Sequence, residues 1–153
     1  MNANTRLFGE ISIADEKIIR MDKGIIGFPD LKNFALVFDE DGEKNNSLMW
    51  FQSMDEPQFA MPVIVPNDIL PDYNPTVSDE LLSSLGNLTP ENTYCIVTIK
   101  VPKDVTKMTI NLKAPIIVNT DNMKAEQIIV EDDLEVRFPV YDLLKKAKEG
   151  AGK

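Results

Sequence analysis

The chain has 153 residues, with 25 acidic and 16 basic side chains, a net charge of −9, no histidine and one cysteine. Histidine is the commonest general base and metal ligand near neutral pH, so its absence removes Ser-His-Asp and Cys-His catalysis, while the lone Cys95 removes zinc sites of Cys/His type and any intramolecular disulfide. An acidic chain is a poor direct binder of nucleic acid, whose phosphates select basic contacts.

In chain order the pattern is of short apolar or β-branched runs. Leu7–Ile13, Ile18–Met21, Phe34–Asp39, Leu48–Ser53 and Phe59–Val65 form the first group. Tyr94–Val101, Met108–Leu112, Ile116–Asn119 and Gln127–Val130 form the second. Turn residues separate them: Asp41-Gly42, Asn45-Asn46, Gly86-Asn87, Pro102 and Pro115. Many short strands at this spacing predict a mainly β protein, a small antiparallel barrel or sandwich. Two segments read as helices. Leu81, Leu82 and Leu85 have helical spacing, with Thr76 or Ser78 as N-cap and Gly86 as the left-handed stop. Val140, Leu143, Leu144 and Ala147 fall on one face of a C-terminal helix whose last turn carries Lys145, Lys146 and Lys148. The whole chain, 1–153, is expected to form one domain, with residues 1–6 and 149–153 frayed.

No apolar run reaches the about 20 residues that span a bilayer. Met1–Arg6 lacks the apolar core of a signal peptide. With one cysteine, these features point to a reducing cytoplasm. No cofactor and no small-molecule substrate are expected. The charge is uneven. Residues 1–44 carry nine acids and six bases, and residues 100–153 carry nine acids and ten bases. Between Lys44 and Lys100 there is no base, only Asp55, Glu56, Asp68, Asp72, Asp79, Glu80 and Glu91. Such a stretch is either a solubilising face or a field that steers a cationic partner.

Carboxylates are the remaining acid/base groups, but Asp55-Glu56, Asp79-Glu80 and Asp132-Asp133 are sequence neighbours, which point apart on a strand. Asp39–Glu43 has its glycine at the wrong place for a calcium loop and reads as a hairpin turn. Gly24-Ile25-Ile26-Gly27-Phe28-Pro29 lacks the Lys-Ser/Thr of a phosphate loop. It reads as a tight bend with Phe28 in the core, a reading compatible with recognition by the loop. Cys95, inside Tyr94–Ile99, reads as a buried thiol.

Gly24–Pro29, Phe51-Gln52-Ser53, Val65-Pro66 with Asp72-Tyr73, and Asn111-Leu112-Lys113-Ala114-Pro115-Ile116-Ile117-Val118-Asn119 followed by Gln127 occur in this order. The set resembles the bacterial flagellar assembly factor family FliW, over about residues 7 to 140. Phe51 stands where leucine is usual, and Leu134 near a usual tyrosine. The resemblance implies an adaptor rather than an enzyme. It implies binding to flagellin and, competitively, to the RNA-binding translational regulator CsrA, which such an adaptor antagonises from a surface beside the RNA site. On that reading Asp55, Glu56, Asp68 and Asp72 are candidates for the regulator. Phe28, Met54, Phe59 and Met61 are candidates for an apolar flagellin groove, or else core residues. Gly27, Gln52, Ser53, Tyr73, Asn111, Pro115, Asn119 and Gln127 are family-motif residues expected to hold turns and backbone. The rival readings are a chaperone that binds flagellin alone and a carboxylate-based hydrolase. Neither a membrane nor nucleic acid is expected as a direct partner.

Overall fold

The computed structural model describes residues 1–38, 49–77 and 79–151. Eleven strands and two α-helices are present among them: β1 (Asn2–Thr5), β2 (Gly9–Ser12), β3 (Ile19–Arg20), β4 (Asn33–Phe38), β5 (Met49–Ser53), β6 (Ala60–Ile64), α1 (Asp79–Leu82), β7 (Thr93–Lys100), β8 (Thr109–Ile110), β9 (Ile116–Asn119), β10 (Lys124–Gln127), β11 (Phe138–Pro139) and α2 (Tyr141–Ala151). Seven strands close on themselves in the order β7-β6-β5-β4-β3-β10-β9, with β9 pairing back to β7. Closure leaves the barrel wall without a free edge. The expected mainly β barrel is therefore observed. Its pairings are antiparallel except at one seam, where β3 and β10 run parallel with Lys124 opposite Arg20.

Alternation along the strands sorts their side chains. Inward positions fill the barrel with Ile19, Met21, Ile25, Phe34, Met49, Phe51, Val63, Ile96, Ile116, Val118 and Ala125. Phe34 and Phe51, two residues apart in register, stack with ring centroids 4.4 Å apart and planes 7° from parallel. Such a pair contributes about 0.5–1.5 kcal/mol beyond its burial. Outward positions are covered in three places. The β1–β2 hairpin lies over Ile18, Ala35 and Met54, contributing Ala3, Ile11 and Ile13. The helical turn ending at Leu85 covers Ile117, Ile128 and Val130. The 66–73 loop and α2 cover Ile64, Val97, Ile99 and Ile110 through Tyr73, Val140 and Leu144.

Several expectations change. At the N-terminus β1, a strand not among those expected, pairs with β2 over four residues, and the Arg6 N–H donates to the Pro57 carbonyl at 3.2 Å. The strand expected at Gln127–Val130 begins earlier, at Lys124, and ends at Gln127. Ile128 and Val130 are buried, but their N–H groups donate to Pro115 and Lys113 outside the ladder. Among the described residues Thr76 shows no capping bond, and its own N–H donates to Asp132 Oδ1 at 3.0 Å. Gly86, at φ 86°, stops the short helical segment as expected. Ser78 and the turns at Asp41-Gly42 and Asn45-Asn46 lie outside the described residues. So does the Asp39–Glu43 segment.

Candidate functional site

At one end of the barrel two turns meet. The first follows β3. Gly24, at φ 66°, sits so close to the returning chain that a Cβ there would lie 2.5 Å from the Phe28 carbonyl oxygen and 2.6 Å from Pro29 Cα. Only glycine fits both the conformation and the space. Ile25 and Phe28 then exchange backbone hydrogen bonds at 3.2 and 2.7 Å. The result inverts the expected arrangement: Ile25, 4% exposed, enters the core, while Ile26 and Phe28 stand 52% and 48% exposed. The turn is tied to the barrel by Gln127, whose Oε1 accepts the Ile26 N–H at 2.9 Å while its Nε2 donates to the Ala114 carbonyl at 3.2 Å.

The second turn joins β5 to β6. Ser53 Oγ accepts the N–H groups of Asp55 and Glu56 at 3.1 and 2.9 Å. Gln52, fully buried, directs its Nε2 at the carbonyls of Ser53, Pro57 and Phe59. Asp55 accepts from the N–H groups of Lys32 and Asn33 and from the Asn33 side-chain amide at 2.7–3.0 Å. Partial burial pushes its carboxyl upward, but those hydrogen bonds and the Lys32 charge outweigh it and hold the group below the usual carboxylate range. The two turns are thereby locked together, and the Phe28 and Phe59 rings meet with centroids 4.7 Å apart. Ile129, two residues beyond Gln127, is 60% exposed. Ile26, Phe28, Phe59 and Ile129 thus belong to segments that converge on this end, and Ile26 and Ile129 were not singled out from the sequence. The Gly24-Ile25-Ile26-Gly27 pattern does not separate the two isoleucines: Ile25 is buried and Ile26 exposed.

The remaining apolar candidates are placed differently. Met54 is 6% exposed, packed with Ile18 and Ala35 beneath the β1–β2 hairpin, and so does not line an exposed groove. Phe59 and Met61 are half-buried against the barrel core. The four candidate acids do not form one cluster. Asp55 and Glu56 precede β6, whereas Asp68 and Asp72 lie in the loop that follows it, so the length of a five-residue strand separates the pairs. Asp68 and Asp72 are exposed. Their loop is pinned by Asn67 Nδ2, which donates to the Tyr73 carbonyl at 2.8 Å, and by the Tyr73 hydroxyl, which donates to the Leu112 carbonyl at 2.7 Å.

Other motif residues also bond internally. Asn111 Oδ1 accepts the Lys113 and Ala114 N–H groups, and the Pro115 carbonyl accepts from Ile128. Asn119, 2% exposed, donates to the Leu85 carbonyl at 2.7 Å and accepts the Asp121 N–H. Gly27 has φ 91° in open space. An ion pair between a buried acid and an exposed lysine was not foreseen: Glu126 accepts from Lys23 Nζ at 2.7 Å and from Ser84 Oγ at 2.8 Å. Burial pushes the Cys95 thiol up to about 12. No helix among the described residues is long and apolar enough to cross a membrane.

These features define a closed β-barrel whose motif residues are spent on holding surface turns. The FliW protein family matches residues 2–140, and the chain belongs to that family. The flagellar assembly factor FliW of Lachnospira eligens is 49% identical over 150 residues, covering 95% of this chain and 98% of that protein. The flagellar assembly factor FliW of Lachnoclostridium phytofermentans is 44% identical, covering 97% and 96%. A crystal structure of the flagellar assembly factor FliW shares the fold, with a TM-score of 0.82 at 24% identity, covering 92% of this chain and 97% of that one.

Proposed function

We propose that this chain is a flagellar assembly factor acting as a non-enzymatic cytoplasmic adaptor. It binds flagellin and, when free of it, binds and antagonises the RNA-binding regulator CsrA, relieving repression of flagellin translation. The observation that carries the reading is the exposed pair Ile26 and Phe28 on a turn locked by Gly24, Gln127 and Phe59. A rigid apolar turn suits an amphipathic helix or extended tail, because little freedom is lost on binding. The regulator reading rests on the family resemblance and on the exposed, pinned loop bearing Asp68 and Asp72, whose charge would steer a basic partner.

The test mixes the full chain with each partner on a sizing column at low and moderate salt. I26S/F28S is expected to lose flagellin and keep the regulator, and D68K/D72K to do the reverse. Equal loss of both partners in either variant would defeat the two-surface reading. No complex with the regulator at any salt would leave the flagellin-only chaperone.

A further inference from the structure

The chain also carries a basic face. Lys100 ends β7, Lys103 lies in the loop that follows, and Lys107 ends a short helical turn before β8. The register joins these segments: Lys100 lies opposite Thr109, and Thr109 opposite Pro139 of β11. Arg137 immediately precedes β11, and α2, with Lys145 and Lys146, packs on the turn that holds Lys107. All six bases are exposed, and none is in an ion pair among the described residues. Asp104 caps the 105–107 turn, accepting the Thr106 N–H at 3.1 Å, and with Glu135 and Asp142 it is exposed among these bases, so the segments stay net positive, six bases to three acids. Interspersed with the bases are Val101, Val105 and Val136, 50%, 46% and 55% exposed.

We propose that this face docks an acidic, amphipathic segment of a partner protein. Charge complementarity selects the occupant: six exposed cations against three exposed carboxylates, on a chain of net charge −9, are matched by an acidic partner, and three exposed valines offer apolar contacts that a purely ionic ligand would leave in water. The edge strand is two residues long and contains Pro139, so the partner lies across the face rather than adding a strand. Its residues belong neither to the turn that carries Ile26 and Phe28 nor to the loop that carries Asp68 and Asp72.

The probe is a short synthetic peptide of leucine and glutamate at helical spacing, titrated into the isotope-labelled full chain and read by backbone amide shifts. Shifts are expected in residues 100–107, 136–137 and 141–146, weakening as salt rises from about 0.15 to about 0.5 M. K103E/K107E/R137E should weaken binding about tenfold or more, with D68K/D72K unaffected. V105S, which keeps every charge, should weaken it by a smaller factor. The same peptide with lysine for glutamate should not bind. Shifts elsewhere, or unchanged affinity in the charge-reversed variant with its fold intact by circular dichroism, would overturn the proposal. So would tighter binding of phosphatidylglycerol vesicles or an RNA oligomer to this face. A dimer in sedimentation that the charge reversal abolishes would also overturn it, assigning the face to a second copy of the chain.

Discussion

The Gln127 side chain joins two segments that never meet in the sheet, accepting the Ile26 N–H and donating to the Ala114 carbonyl. One amide thus fixes the exposed turn against the strand connection before β9. Gln127→Ala removes both bonds. It is expected to cost about 1–2 kcal/mol in urea unfolding, since each net hydrogen bond contributes about 0.5–1.5 kcal/mol. Flagellin affinity should fall further than stability does, because the turn loses its fixed geometry. Unchanged amide shifts at Ile26 would show that the glycines alone hold the turn.

The two glycines of that turn make a matched pair of tests. Gly24→Ala meets the Phe28 carbonyl and a left-handed backbone together, whereas Gly27→Ala meets only the backbone term. The left-handed penalty is about 1–2 kcal/mol for an L-residue, and overpacking adds about 1–3 kcal/mol. Thermal unfolding should rank G24A well below G27A. Equal melting temperatures would mean that the chain at Phe28–Pro29 moves aside without cost.

Asp55 gives a prediction in pH. Its carboxyl is held below the usual range, so its contribution is full above the unfolded value of about 3.9 and is lost as pH falls through the lower folded value. Asp55→Ala should destabilise the chain by about 1 kcal/mol at neutral pH, as for loss of a capping residue. The gap between wild type and variant should close in acid. A gap that persists at the lowest pH would mean that packing, not the ionised cap, is what the variant removes.

The barrel was legible because inward positions such as Phe34, Phe51 and Ile96 recur at the strand period in apolar runs. β1 was not, because Asn2–Thr5 holds one small apolar residue and is a strand only through its pairing with β2 and the cover it gives Ala35 and Met54. β10 was displaced by two polar residues. Lys124 and Glu126 are outward neighbours of a single inward Ala125, and Glu126 is buried with its charge met by Lys23. Which ends of the strands share a side was also hidden, and this is why Asp55 and Asp68 fell into one candidate patch although β6 separates them.

Cys95 offers a probe of the folded state. Desolvation pushes its thiol up to about 12, so almost no thiolate exists at pH 8. Cys95 is half-buried, so disulfide-exchange reagents should label it slowly in the native state for want of thiolate, and faster as urea rises and the chain unfolds. Fast labelling in the native state would reveal local opening of β7 at the Cys95–Ile117 pair.

The acidic loop yields the last prediction. Asp68 and Asp72 are exposed, while the loop backbone is pinned by Asn67 and the Tyr73 hydroxyl. Charge reversal there should therefore leave stability within about 0.5 kcal/mol, as for surface substitutions generally. Its effect should fall on encounter with the regulator. Stopped-flow association at low salt is expected to slow by about tenfold or more for D68K/D72K, with the difference shrinking as salt screens the field. Tyr73→Phe is the control: it keeps both charges and removes the hydroxyl bond, so it should lower stability by about 1 kcal/mol and leave the salt dependence intact. If the two variants slowed association alike at every salt, loop shape rather than charge would govern the encounter.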